Sequence, residues 1–289
     1  MKILLVPNFI KPNSIPCAGQ VVHKLRELGA VPMLDTESKK LLDGVEGCVE
    51  GDFSTLLKEC DVLLTIGGDG TILKAVQHAV LTNKPILGVN AGRIGFLSQV
   101  EMNELDALER LVSGNYRLSR RMLLEAEIVR KEGSEKYLAL NEIVIAQGNY
   151  GKIVDISVMR DEREITHIRA DGLIFATPTG STAYSLSVGG SIADPEIDLI
   201  LLTAISPYSA FNRSLLLPAD REYMAREENL RNQDGLQDGL LVMADGKNLA
   251  LIGEGEYVRV RRAGVYAQLI DLQLRDFYSN LHEKLSLRR

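Results

Sequence analysis

The segment Asp61-Val62-Leu63-Leu64-Thr65-Ile66 runs without a break into Gly67-Gly68-Asp69-Gly70-Thr71, after which Ile72, Leu73, Val76, Ala79 and Val80 recur at helical spacing. A strand, a glycine turn and a helix in that order make one unit of a parallel α/β sheet, because a parallel neighbour can be reached only by a crossover. The flanking sequence repeats the pattern. Ile3 to Val6 predicts a first strand; Val21, Val22, Leu25 and Leu28 predict a helix closed by Gly29, and Val31 to Leu34 a second strand. Asp61 to Ile66 is then the third and Pro85 to Val89 the fourth. A loop from Asn90 to Gly95 and a helix around Leu105 to Val112 follow, with a stop at Gly114-Asn115.

Beyond Tyr116 the period changes. Leu124, Ala126 and Ile128 alternate with Glu125, Glu127 and Val129, and Ile153 to Val158 and Tyr257 to Arg261 alternate likewise, so this region is mainly β. Helical spacing returns only at Phe277, Leu281 and Leu285. The expected fold is α/β plus β: an N-terminal α/β domain over residues 1–115, a mainly-β domain over 116–265, and a tail over 266–289 whose helix packs back on the first domain. The polar stretch Ala225 to Gly239, with Asp234-Gly235 and Asp238-Gly239, reads as a loop or hairpin turn.

With 289 residues, 45% of them hydrophobic, the chain can bury two cores and is not disordered. A net charge of -6 and the lack of a long Lys/Arg cluster argue against a nucleic-acid partner. Arg259, Arg261 and Arg262 read as the solvated face of a strand. No stretch approaches the ~18 apolar residues of a membrane span, and the opening Met1 to Val6 meets Pro7 and Asn8 too early for a signal peptide. A cytoplasmic protein without a membrane partner is expected. Cys17, Cys48 and Cys60 show no C-x-x-C spacing, and His23, His78, His167 and His282 lie far apart, so buried thiols and no protein-held metal are expected.

Gly67-Gly68-Asp69-Gly70-Thr71 fits neither the Walker A spacing nor G-x-G-x-x-G, yet it has the physics of a phosphate site. Glycines let several N–H groups approach an anion, and the following helix adds its positive end. Asp69 is the odd member. A carboxylate there meets a metal carried by a nucleotide, or accepts a hydroxyl hydrogen bond and orients that hydroxyl toward a phosphoryl group. The alternative is a plain strand-to-helix turn capped by Asp69 or Thr71.

A second constellation follows Arg169-Ala170-Asp171-Gly172, where an apolar strand ends at Pro178 and Thr179-Gly180-Ser181-Thr182-Ala183-Tyr184-Ser185 comes at once. Small side chains let backbone donors approach a ligand, and Tyr184 offers a ring to a nucleoside. A simple helix start with a core tyrosine is the other reading. Asn141-Glu142 precedes the apolar run Ile143 to Ile145 and, alone, marks only a strand start.

Taken in order, these segments resemble the NAD kinases, which phosphorylate the 2′-hydroxyl of the adenosine ribose of NAD. The resemblance covers nearly the whole chain. It rests on Gly67 to Thr71, Asn90-Ala91-Gly92-Arg93-Ile94-Gly95-Phe96-Leu97, Asn141-Glu142, Asp171-Gly172-Leu173, Thr177 to Ser185, and Ser206-Pro207 with Leu217-Pro218. The glycine turn is shared with diacylglycerol and sphingosine kinases; the Thr177 to Ser185 run is specific.

What the resemblance implies is a Rossmann-like first domain, a β second domain, a site in the cleft between them, and a homodimer or homotetramer. ATP or inorganic polyphosphate would be the donor, with Mg²⁺ or another divalent cation carried on it. By position, Asp69 would accept the proton and contact NAD beside Gly70. Asn141 and Glu142 would hold the adenosine; Asp171, Thr182, Ala183, Tyr184 and Ser187 would contact the dinucleotide; Lys74, Lys152 and Arg169 fall at basic or polar contact positions. Ser191 stands where the family has Pro, and Asp245-Gly246-Lys247 where it has Asp-Gly-Gln, which leaves Asp245 as the carried-over contact. A lipid kinase sharing the glycine turn, or a non-catalytic NAD(P)-binding regulator, are the competing functions.

Overall fold

In a computed structural model the described residues are 1–42, 44–92, 95–148, 153–209, 213–228 and 239–286, the side chains being described to 284. They divide into two compact units, Met1–Arg120 with Ala267–Arg289, and Arg121–Tyr266.

The first unit is built on β1 (Lys2–Pro7), α1 (Ser14–Glu27), β2 (Val31–Asp35), α2 (Thr36–Leu41), β3 (Val49–Gly51), α3 (Phe53–Glu59), β4 (Val62–Gly67), α4 (Asp69–Thr82), β5 (Ile86–Asn90), β6 (Val100–Glu101) and α5 (Leu108–Val112). The strands are parallel in the order β3-β2-β1-β4-β5. The chain therefore leaves β1 toward one edge and returns at β4 on its other side. Ligands in open parallel sheets bind at such a reversal, outside the carboxyl ends of the strands.

Local chemistry explains the elements. Gly29 at φ +77 lets the Ala30 N–H reach Leu25 O and its own N–H reach Arg26 O, which closes α1 in a Schellman turn. Ile3, Leu5, Leu64, Ile66, Leu87 and Val89 pack with Val21, Val22 and Leu25 of α1 in one fully buried core. Two expectations need correction. The pair β3–α3 stands before Asp61, so the glycine-turn strand is the fourth; its few half-exposed residues gave no periodic signal. The helix expected around Leu105 is a 3-10 turn over Met102–Ala107 and only then α5, with Glu104 off helical geometry at the junction.

The second unit is antiparallel: β7 (Arg117–Arg130), β8 (Gly133–Ala139), β9 (Glu142–Gln147), β10 (Val154–Arg160), β11 (Arg163–Ala170), β12 (Gly172–Ala176), α6 (Tyr184–Ser187), β13 (Leu199–Ile205), β14 (Leu215–Pro218), β15 (Glu222–Glu227), β16 (Leu240–Ala244), β17 (Lys247–Ile252) and β18 (Tyr257–Asp271). One sheet runs β14-β13-β12-β9-β16-β17. Its Ile143, Ile145, Leu173 and Phe175 pack against Ile156, Val158, Val258 and Val260 of the strands opposite. Val144, Ile174 and Leu201 point the other way into a smaller core. Both faces are covered, which is why β9 and β12 read as unbroken apolar runs instead of alternating.

Strands β7 and β18 begin and end in different units. In the first unit Leu269 of β18 lies parallel to Ile86 of β5, and α7 (Phe277–Ser286) follows there. Ala225 belongs to β15, not to a loop, and residues 229–238 of that expected turn lie outside the described residues. No helix among the described residues is long and apolar enough to cross a membrane.

Candidate active site

The glycine turn sits at the reversal between β1 and β4. Pro7 lies opposite Ile66, and the Asn8 N–H donates to Ile66 O at 2.8 Å, so the loops leaving the two strands start side by side. Asn8 then makes an Asx turn: its Oδ1 accepts from the Ile10 N–H and its Nδ2 donates to Thr71 Oγ1. Thr71 Oγ1 also accepts from the Gly68 N–H at 3.4 Å. A Cβ on Gly67 would lie 2.3 Å from Thr71 Oγ1 and 2.9 Å from Asn8 Cβ, so glycine is required there by packing.

Asp69 opens α4, half-buried. Its carboxylate turns to the loop after β5, where Oδ2 accepts from the Phe96 N–H at 2.6 Å and Oδ1 from the Leu97 N–H at 3.1 Å and the Ser98 hydroxyl at 3.4 Å. Gly95 makes room for this, since a Cβ there would stand 1.9 Å from Asp69 Oδ1. The same loop is braced by Asn90, whose Oδ1 accepts from the Gly92 N–H and whose Nδ2 donates to Glu101. Burial pushes the Glu101 carboxyl above its ordinary range. Gly70 is exposed at the mouth of the turn, and Lys74 is exposed one turn along α4. Arg93 and Ile94 lie outside the described residues.

A second group forms in the β unit where three strands come level. Glu142 at the start of β9 stands opposite Ala176 at the end of β12, and Ile143 opposite Ala244 at the end of β16. Thr177 Oγ1 donates to Leu140 O and accepts from the Gly180 N–H, while the Thr177 N–H donates to Asn141 O. This seats the turn of small residues flat on the Asn141 peptide. Gly180 is obligatory: a Cβ would lie 2.0 Å from Asn141 O. Ser181 and Thr182 are buried, Ser187 Oγ donates to Ala183 O, and Tyr184 keeps 41% of its surface exposed.

Asp245-Gly246 is the two-residue turn joining β16 to β17, with φ +47 and +76, the geometry for which Asp-Gly is favoured. The Asp245 carboxylate folds inward, taking the N–H groups of Leu140, Asn141 and Glu142 at 2.8, 2.8 and 3.1 Å. It thereby sets the position of the Asn141-Glu142 pair. Desolvation raises its pKa in spite of those three donors.

Glu142 is 7% exposed; the Tyr184 N–H hydrogen-bonds its carboxylate, and its Oε2 has no partner among the described residues. Desolvation first, and the Asp245 charge second, push its pKa up to about 7. A buried acceptor left over in this way is suited to a ligand donor. Asp171 is half-buried, its N–H donating to Ile205 O and its carbonyl accepting from Gln147 N–H. Arg169 is exposed, its guanidinium 5.8 Å from the Tyr208 ring centre, and it lines a concave pocket with His167, Pro207 and Leu215. Lys152 lies outside the described residues.

The Arg259–Arg261–Arg262 patch is ion-paired: Arg259 with Glu127 and Glu222, Arg261 with Glu125 and Glu222, Arg262 with Asp198. No group of three or more His, Cys, Asp or Glu that could hold a metal occurs among the described residues. Asn8, tied to Thr71, and Lys11, whose Nζ lies 3.4 Å from Gly67 O, are not among the site residues that the sequence suggests. The order in which strands follow β1 was the signal that could have found them, because it marks the loop after the first strand as part of the ligand edge.

Comparison with known proteins decides the family. A family model described as the ATP-NAD kinase N-terminal domain matches residues 3–116, and one described as the ATP-NAD kinase C-terminal domain matches residues 140–272. The chain belongs to the ATP-NAD kinase family. It is accordingly an enzyme. An NAD kinase from Moorella thermoacetica is 34% identical over 98% of this chain and 89% of the relative. One from Symbiobacterium thermophilum is 36% identical over 99% of both. Among solved structures, yeast NADH kinase complexed with NADH has a TM-score of 0.87 at 24% identity, covering 99% of this chain and 87% of that one. An NAD kinase from Archaeoglobus fulgidus in complex with ATP has a TM-score of 0.75 at 23% identity, covering 99% of both. The kinase family shares this fold from end to end.

Proposed function

We propose that this NAD kinase transfers the terminal phosphoryl group of ATP or inorganic polyphosphate in line to the 2′-hydroxyl of the adenosine ribose of NAD. The observation that carries the reading is Asp69. Its carboxylate is fixed by two backbone N–H groups and a serine hydroxyl at the start of α4, beside a turn built to receive phosphate. A carboxylate held in one orientation can accept and align the ribose hydroxyl proton. The new bond joins the ribose oxygen to phosphorus, the bond to the leaving phosphate oxygen breaks, and the proton passes to Asp69. Positioning and charge stabilisation dominate such a loose transition state.

The adenosine part goes to Asn141 and Glu142, with Asp171, Thr182, Ala183, Tyr184, Ser187 and Arg169 around the dinucleotide. Glu142 Oε2, which has no partner among the described residues, supports this assignment, since an adenine amino group is a donor. Asp245 acts through the peptide N–H groups of 140–142. Mg²⁺, or another divalent cation, enters with the donor phosphates and neutralises their charge. A homo-oligomer is part of the same reading.

The test is to incubate the pure protein with Mg²⁺, NAD and either ATP or polyphosphate, and to quantify NADP with an NADP-specific dehydrogenase. NADP formed with one donor and not the other names the donor. NAD binding with no NADP from either donor establishes a regulator in place of a kinase.

A further inference from the structure

We infer that Lys11 is the cation that binds the phosphoanhydride chain of the donor at the glycine turn. This rests on the phosphoryl-transfer reading above. Lys11 lies on the loop between β1 and α1, half-buried, and the loop is fixed at both sides of it. The Lys11 N–H donates to Asn8 O, the Ser14 N–H donates to Lys11 O, and Asn8 itself is tied to Ile66 and Thr71. The side chain is thereby laid across the turn. Its Nζ stands 3.4 Å from Gly67 O. A Cβ added to Gly68 would meet that Nζ at 2.5 Å, so this glycine leaves the space that the ammonium occupies, and Gly92 lies beside it, where a Cβ would touch the Nζ at an ordinary 3.4 Å.

The backbone explains none of this by itself. Gly68 has φ -163 and ψ -174, an extended conformation open to any residue, and among the described residues the only atoms that a Cβ there would meet are Lys11 Nζ and Cε. What a side chain at position 68 would displace is the lysine ammonium. An ammonium carries three donors, and a single long hydrogen bond to Gly67 O is the bond it makes among the described residues. The ammonium stands at the edge where the sheet reversal and the start of α4 favour an anion. A compact charge there suits the terminal phosphates of a donor, whether these belong to a nucleoside triphosphate or to polyphosphate.

The experiment measures initial rates of NADP formation with donor varied at saturating NAD, and with NAD varied at saturating donor, for MgATP and Mg-polyphosphate separately. Lys11→Ala is expected to raise the donor KM at least tenfold and to lower kcat, with the NAD KM within twofold of wild type. Lys11→Arg is expected to restore most of the loss. The effect should appear with each donor that the wild type uses. Gly68→Ala keeps the charge but displaces it, so the double variant Lys11→Ala/Gly68→Ala should be no worse than Lys11→Ala alone. Thermal unfolding of each variant accompanies the rates. An unchanged donor KM in Lys11→Ala, an equal rise in both KM values, or fully additive losses in the double variant would overturn the inference. If the wild type forms no NADP from either donor, the phosphoryl-transfer reading itself has failed; active wild type with a normal donor KM in Lys11→Ala removes Lys11 alone.

Discussion

The Phe96 N–H donates to Asp69 Oδ2 at 2.6 Å, across 27 positions of sequence, and so couples the first residue of α4 to the loop after β5. With the Leu97 N–H and Ser98 hydroxyl on Oδ1, both carboxylate oxygens are engaged and the side chain has one orientation. In the proposed transfer its free lone pairs, not its freedom of movement, are what it would offer to a substrate hydroxyl.

Replacing Asp69 by Asn separates these two roles. The amide keeps the shape and one acceptor oxygen, so the fold should lose only about 1–2 kcal/mol. Turnover should fall by roughly 10²–10⁴, the usual contribution of a general base. Thermal unfolding and NADP formation measured on the same preparation give both numbers, and near-normal kcat would remove Asp69 from the proton's path.

Glu142 makes stability depend on pH in the sense opposite to a salt-bridged carboxylate. Its folded pKa of about 7 lies above its ordinary value of 4.5, so the folded state holds the proton that the unfolded state has released. The stability it contributes is complete below 4.5 and is lost as pH rises through 7, to a total of roughly 3 kcal/mol. Glu142→Gln should therefore melt well above wild type at pH 8 and close to it at pH 5. Equal differences at the two pH values would contradict the buried-carboxyl account.

Asp245 anchors three peptide N–H groups, and Asp245→Ala would leave them buried without acceptors. We expect a loss of roughly 3 kcal/mol or more. The NAD KM should rise at least tenfold, with the donor KM unchanged. A variant that weakens both substrates alike would show that Asp245 acts on the whole fold instead of on the Asn141-Glu142 segment.

Two glycine-to-alanine changes should differ sharply in stability. At Gly180 the new Cβ would meet the backbone oxygen of Asn141 at 2.0 Å, and rigid backbone has nowhere to go. A cost of about 3 kcal/mol is expected. At Gly68 it would meet only the end of a flexible lysine, so unfolding should be nearly unchanged. Denaturant titration of both proteins is sufficient, and similar midpoints would show that the Thr177–Tyr184 turn yields.

Much of this was legible in one dimension. The strand–turn–helix at 61–80 and the change of period after Tyr116 located the fold class, because burial on one face leaves a periodic trace. The brief elements α2, β3 and α3 left none: Val49 is half-exposed, and α2 and α3 are set by the Asp35 and Asp52 caps more than by an apolar face. In the site, Asp69 stands out because a carboxylate is incongruous among glycines arranged as a phosphate site would be. Lys11 does not, since a lone lysine between two prolines resembles any solvated loop until the strand order places it over the turn. Asp245 is marked by position, but its inward fold depends on the β16–β17 hairpin, a pairing that position alone does not show.

The first unit is interrupted in sequence, whereas the second is continuous from Arg121 to Tyr266. On the ribosome, the segment carrying Leu269, which lies beside Ile86, emerges more than a hundred residues after its partner. The glycine turn is thus among the first parts of the chain to be made, while its sheet is among the last to be completed. The β unit can close while the Ile86 end of β5, which the two-residue β6 does not reach, still lacks its neighbour, reversing the usual N-terminal-first order of domain folding and leaving that short stretch open to mispairing in the interval.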